Sequence, residues 1–451
     1  MVGKERAFES IKEAFASSRA DMTEIVLISE RDSLTRFANS EIHQNTSVDD
    51  VTIMVRAIDG TREGWASTNQ LTPEALADAA ARALEMASVQ PANPDFPGLA
   101  EPAQYEDAHG YDETTAAFGP MERAEAVQSI IRQADAHKLN ASGALRTRVR
   151  EIAVANTLGV CAWHVGTDAS LVTVVMESFE ANAGSGYAEA GAMRVGDLDF
   201  QALGARAVDK CIASMNPVAI EPGEFVAVLE PSAVSTAMEM LAYMGMNGLS
   251  FTEGRSYASG RLGAKVTSEM VTIIDDWRHP RMAPLPFDFE GVPRKRVPLI
   301  QNGLAAGVVF DRAIAARAHT KSTGHAVPGG EEKGGYPIHL AMATGISSVE
   351  EMVAETERGV YVTRFNYVNP VHPTKTIITG MTKDGTFLIE NGRITKPLRN
   401  LRFTESILDG ILGSVQAISR EAELIPALGD GGLYSAPAIK TGRLNFTGAS
   451  A

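Results

Sequence analysis

Asn216-Pro217-Val218-Ala219-Ile220-Glu221-Pro222-Gly223 divides this chain of 451 residues into two parts of different character. Two prolines remove backbone donors and a glycine frees φ, so the segment closes a preceding helix and opens a strand at 224–229. Downstream, β-runs dominate: 270–275, 297–310 around Asn302-Gly303, 360–367, 374–380, and 385–398 turning at Asn391-Gly392. Asn-Gly readily takes the two positive φ angles of a tight hairpin turn, so these pairs between β-rich runs predict hairpins. Upstream, strand and helix signals alternate. Runs rich in Ile and Val at 24–29 and 50–58 flank a turn at Asn39-Ser40. Thr72 can cap a helix, Pro73 suits its first position and Glu74 meets its positive end, predicting a helix to about Met86. Residues 90–105 hold four prolines without periodic pattern and read as a linker. Helices at 121–138 and 200–215 then enclose β-runs at 145–156, 160–165 and 170–179. The expected fold is mixed α+β: an N-terminal α/β subdomain (1–95), a central α/β subdomain (106–215), and a C-terminal domain (223–451). In the last, long antiparallel β-hairpins form a large sheet or open barrel.

Composition narrows the function. Hydrophobic residues make up 44% and charged residues 22%, the balance of a globular protein. A net charge of -15, from 41 basic and 56 acidic residues, argues against nucleic acid as a partner, which needs clustered cations. The densest basic run, Arg294-Lys295-Arg296, is short and reads as a solvated turn. Two cysteines, Cys161 and Cys211, give no disulfide framework. Cys161 and His164 form a lone Cys-x-x-His, which weighs little against a half-buried strand. Cys211 shares a helix face with Leu203 and Ala207 and reads as core. The first nineteen residues form a charged helix, and no apolar run approaches membrane-spanning length, so the expectation is a cytoplasmic protein without a membrane partner.

Catalytic motifs are missing. None of the nine histidines has another four residues away, which excludes a helix-borne His pair around a metal. His319 and His325 lie six apart across a loop, a spacing without regular-structure rationale. Ser185 lacks the strand-turn-helix setting of a nucleophile elbow. The glycine pairs at 329–330 and 334–335, and Gly429-Asp430-Gly431-Gly432, match no phosphate-binding loop. Asp275-Asp276 and Asp288-Phe289-Glu290-Gly291 suit turn capping better than cation binding. The helix opened by Pro231 carries Met238, Met240, Met244 and Met246 and is apolar around most of its circumference. A buried core helix is the plainer reading; a soft partner-binding face is the alternative.

An ordered series of segments resembles the TldD/PmbA family. It begins with Arg36-Phe37-Ala38-Asn39-Ser40 and Ile42-His43-Gln44-Asn45, then Ser259-Gly260-Arg261-Leu262-Gly263 and Val271-Thr272-Ile273-Ile274-Asp275-Asp276. It continues through Asp288-Phe289-Glu290-Gly291-Val292-Pro293, Ser322-Thr323-Gly324 and Gly359-Val360-Tyr361-Val362. It ends with Phe387-Leu388-Ile389-Glu390-Asn391-Gly392 and Ala436-Pro437-Ala438. The resemblance implies one of two paired types. The TldD type carries a His-Glu-x-x-x-His helix and a distant C-terminal Cys that bind a metal for peptide hydrolysis. The PmbA or TldE type keeps the fold without these ligands and pairs with the first. Here the matching helix, within 234–247, has no His, and Leu428-Gly429-Asp430-Gly431 stands where the Cys would fall. The chain is thus similar to the PmbA/TldE type.

What the resemblance implies is a non-catalytic subunit of a cytosolic metalloprotease that takes unfolded peptides, in a family also associated with modulating DNA gyrase. No catalytic or metal-ligating residue is assigned to this chain. The metal, zinc by expectation, belongs to a TldD-type partner in a heterodimer, with a homodimer open to the isolated chain. Arg364, Tyr367, His372 and His325 are the candidates for lining a peptide cavity, and Met238, Met240 and Met244 mark the core or partner-facing helix. Two other readings stand beside this one: an autonomous metallopeptidase with unorthodox ligands such as His319 and His325, and a peptide-binding adaptor without proteolysis.

Overall fold

The computed structural model describes residues 1–180, 182–328, 334–427 and 432–449. Its N-terminal part is built on six strands: β1 (Met22–Ala38), β2 (Glu41–Asp59), β3 (Arg62–Thr68), β4 (Asn140–Asn156), β5 (Cys161–Met176) and β6 (Ser185–Ala192). They lie in the order β3-β2-β1-β4-β5-β6 and every neighbour is antiparallel. Asn39 and Ser40 both take positive φ, so β1 turns straight into β2. Helices α1 (Lys4–Ser17), α2 (Pro73–Val89), α3 (Glu113–Ala117), α4 (Pro120–Ala136) and α5 (Phe200–Ala213) accompany this sheet. The Thr72 hydroxyl accepts from the Ala75 N–H and caps α2 as its sequence predicts.

Strand alternation buries both faces of the sheet's centre. Ile25 and Leu27 of β1 pack with Ala153 and Ala155 of β4 against α1 and α2. Val26 joins Ile152 and Val154 on the opposite face, against Leu285, Phe287 and Phe289 of the C-terminal domain. Strand and helix signals alternate along this part of the chain, and the sheet they form is antiparallel throughout. Hairpins join β1 to β2, β2 to β3 and β4 to β5, and the long connection from β3 to β4, carrying α2, α3 and α4, crosses β2 and β1 to place β4 antiparallel beside β1. Residues 160–165 and 170–179 read as two runs because polar Gly166, Thr167 and Asp168 interrupt them, yet β5 runs continuously through these positions.

The C-terminal part contains β7 (Gly223–Leu229), α6 (Pro231–Gly245), α7 (Gly248–Thr252), β8 (Ile273–Asp275), β9 (Val297–Gln301), β10 (Leu304–Ala305), α8 (Arg312–Arg317), β11 (Leu340–Met342) and α9 (Val349–Ala354). Six strands follow: β12 (Arg358–His372), β13 (Ile377–Glu390), β14 (Arg393–Pro397), β15 (Leu401–Ser406), β16 (Val415–Pro426) and β17 (Leu433–Ala449). Both expected Asn-Gly turns form, joining β9 to β10 and β13 to β14, with positive φ at each of the four residues. The fold class holds, an α+β chain with a large C-terminal sheet, but the sheet is mixed. β7–β12 and β11–β17 pair in parallel. Pairing of β17 with β7 closes β7-β12-β13-β15-β17 into a ring instead of an open barrel. The gap read between 380 and 385 is a bulge within β13, where Asp384 and Gly385 take positive φ and the register shifts. Helix α6 packs on β12 and β17, with Ala233, Val234, Ala237, Met238 and Leu241 buried in the largest core cluster. No helix among the described residues is long and apolar enough to cross a membrane.

Candidate functional site

A cavity of about 890 Å³ lies between the six-stranded sheet and the C-terminal domain. Its N-terminal wall follows from strand register. Side chains two apart share a face, and the pairing aligns Ile28, Ile152 and His164 in one row across β1, β4 and β5. Glu30, Arg150 and Gly166 form the next row, and Asp32, Arg148 and Asp168 the third. The charges neutralise one another along the surface. Arg150 Nε donates to Glu30 Oε2 at 2.6 Å, Arg148 Nε to Asp168 Oδ2 at 2.8 Å, and Arg146 forks onto both Asp32 oxygens at 2.7 and 2.8 Å. Gly166 carries no side chain opposite Arg150 and leaves room in the middle of the wall.

The facing wall comes from the C-terminal end of α6 (Tyr243 and Met244), from Asn247, and from the segments around Met282–Leu285 and Tyr336–His339. Asn247 caps α7 by accepting from the Ser250 N–H at 2.9 Å. Two histidines with few partners meet this cavity. Burial lowers both His164 and His339 to about 4, against a smaller opposing effect of a Pro284 backbone hydrogen bond on His164 and of Asp275 on His339, so both rings are neutral near pH 7. His339 Nε2 donates to the Ala283 carbonyl at 3.1 Å, which leaves Nδ1 with a buried lone pair and no partner. His164 Nε2 is likewise buried and unpartnered.

Behind this wall sits Asp275, fully buried. Its Oδ1 is 3.0 Å from His325 Nε2, and its Oδ2 accepts from the His339 backbone N–H at 2.9 Å. Burial would raise this carboxyl, but the charge and hydrogen bond of His325, with His339 and Arg294, outweigh it and hold the group well below the usual carboxylate range. A second buried cluster joins the two parts of the molecule. Arg56 of β2 pairs with Glu24 at 3.2 Å, with Glu63, and with Glu290 at 3.7 Å. Burial, followed by the charges of Asp288 and Glu24, pushes Glu290 well above its ordinary value. Asp288 caps a turn as its sequence suggests: Oδ1 accepts from Glu290 and Val292, and Gly291 takes φ 73°.

Several candidates lie elsewhere than their sequence context suggests. His325 is fully buried against Asp275 and does not line the cavity, and His319 is an exposed residue beyond the end of α8, so the two do not converge on one site. Arg364 is held by Asp384 across β12 and β13 and lies 4.1 Å over the Tyr187 ring, outside the cavity lining. Tyr367 is exposed at a bulge of β12, with φ 55°. His372 is exposed and bonded to Thr374, although Pro370 and Pro373 beside it do line the cavity. The methionines divide: Met238 is core, Met240 packs partly buried on the same core, and Met244 is a buried member of that core which also lines the cavity. Arg148, Arg150, Asp168 and His339 were not marked by any motif. The signal that could have found the first two is the alternation Arg146-x-Arg148-x-Arg150, a strand face too charged for a core.

Zinc takes sets of three or four Cys, His, Asp or Glu ligands. Among the described residues no group of three or more such side chains could hold an ion. Segment 428–431, where the resemblance would place a Cys, lies outside the described residues. The described residues do not fit a zinc centre.

Three family models match in succession: PmbA/TldA metallopeptidase domain 1 over 23–87, the central domain over 111–215, and the C-terminal domain over 222–448. A metalloprotease TldD homolog of Haemophilus influenzae is 24% identical over 392 residues, covering 83% of this chain and 80% of that protein. Metalloprotease PmbA of Escherichia coli O157:H7 is 25% identical over 365 residues, covering 77% and 76%. The crystal structure of TldE from Thermococcus kodakarensis superposes with a TM-score of 0.89 at 22% identity, over 98% of this chain and all of that one.

Proposed function

The chain belongs to the PmbA/TldA metallopeptidase family, and from that premise we propose that it is a PmbA/TldE-type subunit. In this reading it holds part of an unfolded peptide in the cavity, while a TldD-type partner with the His-Glu-x-x-x-His helix and its zinc performs hydrolysis in the cytoplasm. One observation carries the proposal. The motif's spacing falls on α6 at Met238-Glu239-x-x-x-Tyr243, where a glutamate remains but a thioether and a phenol replace the imidazoles. Met238 is fully buried in the core, so its sulfur is sealed from anything in the cavity. Tyr243 stands at the cavity and is largely exposed. A phenol is a poor zinc ligand at neutral pH, where His and thiolate serve.

The remaining cavity suits binding without bond cleavage. Its volume lies within the range of ligand pockets, and its walls combine apolar surface with fixed polar groups, His339 Nδ1 and the Arg150 row among them. The test is peptide cleavage by this chain alone, by a TldD-type paralogue alone, and by the two mixed, each with and without a chelator. Activity confined to the mixture and lost on chelation is the expected result. Metal-dependent cleavage by this chain alone overturns the proposal, and peptide binding without cleavage in any mixture favours an adaptor.

A further inference from the structure

Strand β2 is only half covered. On one side β1 pairs with it along its whole length, but on the other β3 begins its pairing at Ile53. Among the described residues, the outer backbone edge of residues 41–52 therefore has no strand partner, a length of about 40 Å at strand rise. Proteins usually protect such an edge with lysine, proline, a bulge or a covering element, because unpaired N–H and C=O groups invite another strand. Residues 41–52 contain neither lysine nor proline, and their register with β1 is regular from Asn45 onward. Helix α4 meets this stretch at Asn45, whose Nδ2 donates to the Pro120 carbonyl and whose Oδ1 accepts from Arg123. Val48 is 57% exposed.

The rows of the cavity wall run out to this edge. Thr52 extends the row of Ile28, Asp50 that of Glu30 and Arg150, and Val48 that of Asp32 and Arg148. The edge is acidic. Asp49 is held by Arg31 at 2.7 Å, but Asp50 and Glu41 make no ion pair among the described residues, on a chain of net charge -15. Asp50 lies directly across from Glu30, whose carboxylate is already committed to Arg150.

We propose that residues 41–52 of β2 form a docking edge for an extended polypeptide segment with basic side chains at alternating positions. The segment adds to the sheet by main-chain hydrogen bonds and sets its cations beside Asp50 and Glu41. Alternation places every second side chain on the face that carries Asp50, Glu30 and Arg150, so a bound segment adds one more position to each of these rows. The inference goes beyond the subunit role and does not depend on it.

The probe is a fluorescein-labelled undecapeptide of alternating lysine and valine, long enough at strand rise to reach from Asp50 to Glu41, with an alternating glutamate and valine peptide as its counterpart, titrated onto the full chain by anisotropy. The lysine peptide is expected to bind at least about tenfold more tightly, and Val48→Lys with Asp50→Lys to weaken it about tenfold with an unchanged unfolding midpoint. N-methylation of alternate peptide nitrogens removes main-chain donors while retaining charge, and is expected to abolish binding. Undiminished binding of the N-methylated peptide, or equal binding to both variants and parent, reduces the effect to charge attraction and overturns the proposal. Absence of binding overturns it too, as does a homodimer dispersed by Val48→Lys, which would assign the edge to a second copy. None of these outcomes bears on cleavage by the mixed subunits. If Val48→Lys impairs folding, Asp50→Lys alone, at an exposed position, serves the same test.

Discussion

The two walls of the cavity solve opposite problems with the same scaffold. The strand wall is charged and pairs its charges laterally: Glu30, Asp32, Arg146 and Arg150 are partly solvated, around a buried Arg148 that Asp168 holds. The facing wall rests on an apolar helix, α6, and on a buried aspartate whose two oxygens are both occupied. Partly exposed pairs gain little because water already solvates them, whereas a buried carboxylate depends entirely on its partners. The lesson is that the partly exposed pairs on the cavity wall are the dispensable part for stability. The chemistry one layer behind carries the fold.

Substitutions that break this contrast should rank accordingly. Asp275→Ala removes the partner of His325 and the acceptor of the His339 N–H, and should cost about 3–5 kcal/mol in urea unfolding. A loss below about 1 kcal/mol would put the two walls on an equal footing. Met238→Ala should cost about 2–5 kcal/mol because it opens a void in a sealed core, while Met244→Ala, at the cavity, should cost distinctly less. Equal losses for the pair would mean that α6 does not separate core from cavity as described.

Acid sharpens the comparison further. His164 and His339 titrate near 4 when folded, against about 6.5 in the unfolded chain. Between these values the unfolded chain takes up protons that the folded chain refuses, so stability falls as pH drops from 6.5 towards 4. Replacing both rings, as His164→Gln with His339→Gln, should flatten that slope in thermal unfolding; an unchanged slope would place the acid sensitivity elsewhere. Glu290 has the opposite sign. Its raised folded value means its contribution is present below the unfolded value and fades as pH rises through the folded one. The smallest effect belongs to Arg150→Met, whose pair with Glu30 is partly exposed: at most about 1 kcal/mol in the same urea assay.

Local chemistry was the most legible part of the fold. Thr72-Pro73-Glu74, Asn302-Gly303 and Asn391-Gly392 act through neighbours within four residues, and each forms what its chemistry requires. β15, β16 and β17 escaped notice because their apolar residues are spread over long strands with polar positions between. Their identity as strands is set by partners tens to hundreds of residues away. The same holds for the site: His325 looks like a loop histidine until Asp275, fifty residues earlier, closes on it.

By itself, the sequence determined the α+β class, the break near Pro217 and Pro222, and the lack of imidazole on α6, because each depends on residue identity or short-range geometry. Only the tertiary structure decided that β17 pairs with β7 to close a ring, that Met238 is sealed away while Tyr243 meets the cavity, and that the outer edge of β2 over residues 41–52 is left without a strand partner among the described residues. Those outcomes depend on which distant surfaces meet, and burial and long-range hydrogen bonding choose among surfaces that local spacing leaves equivalent.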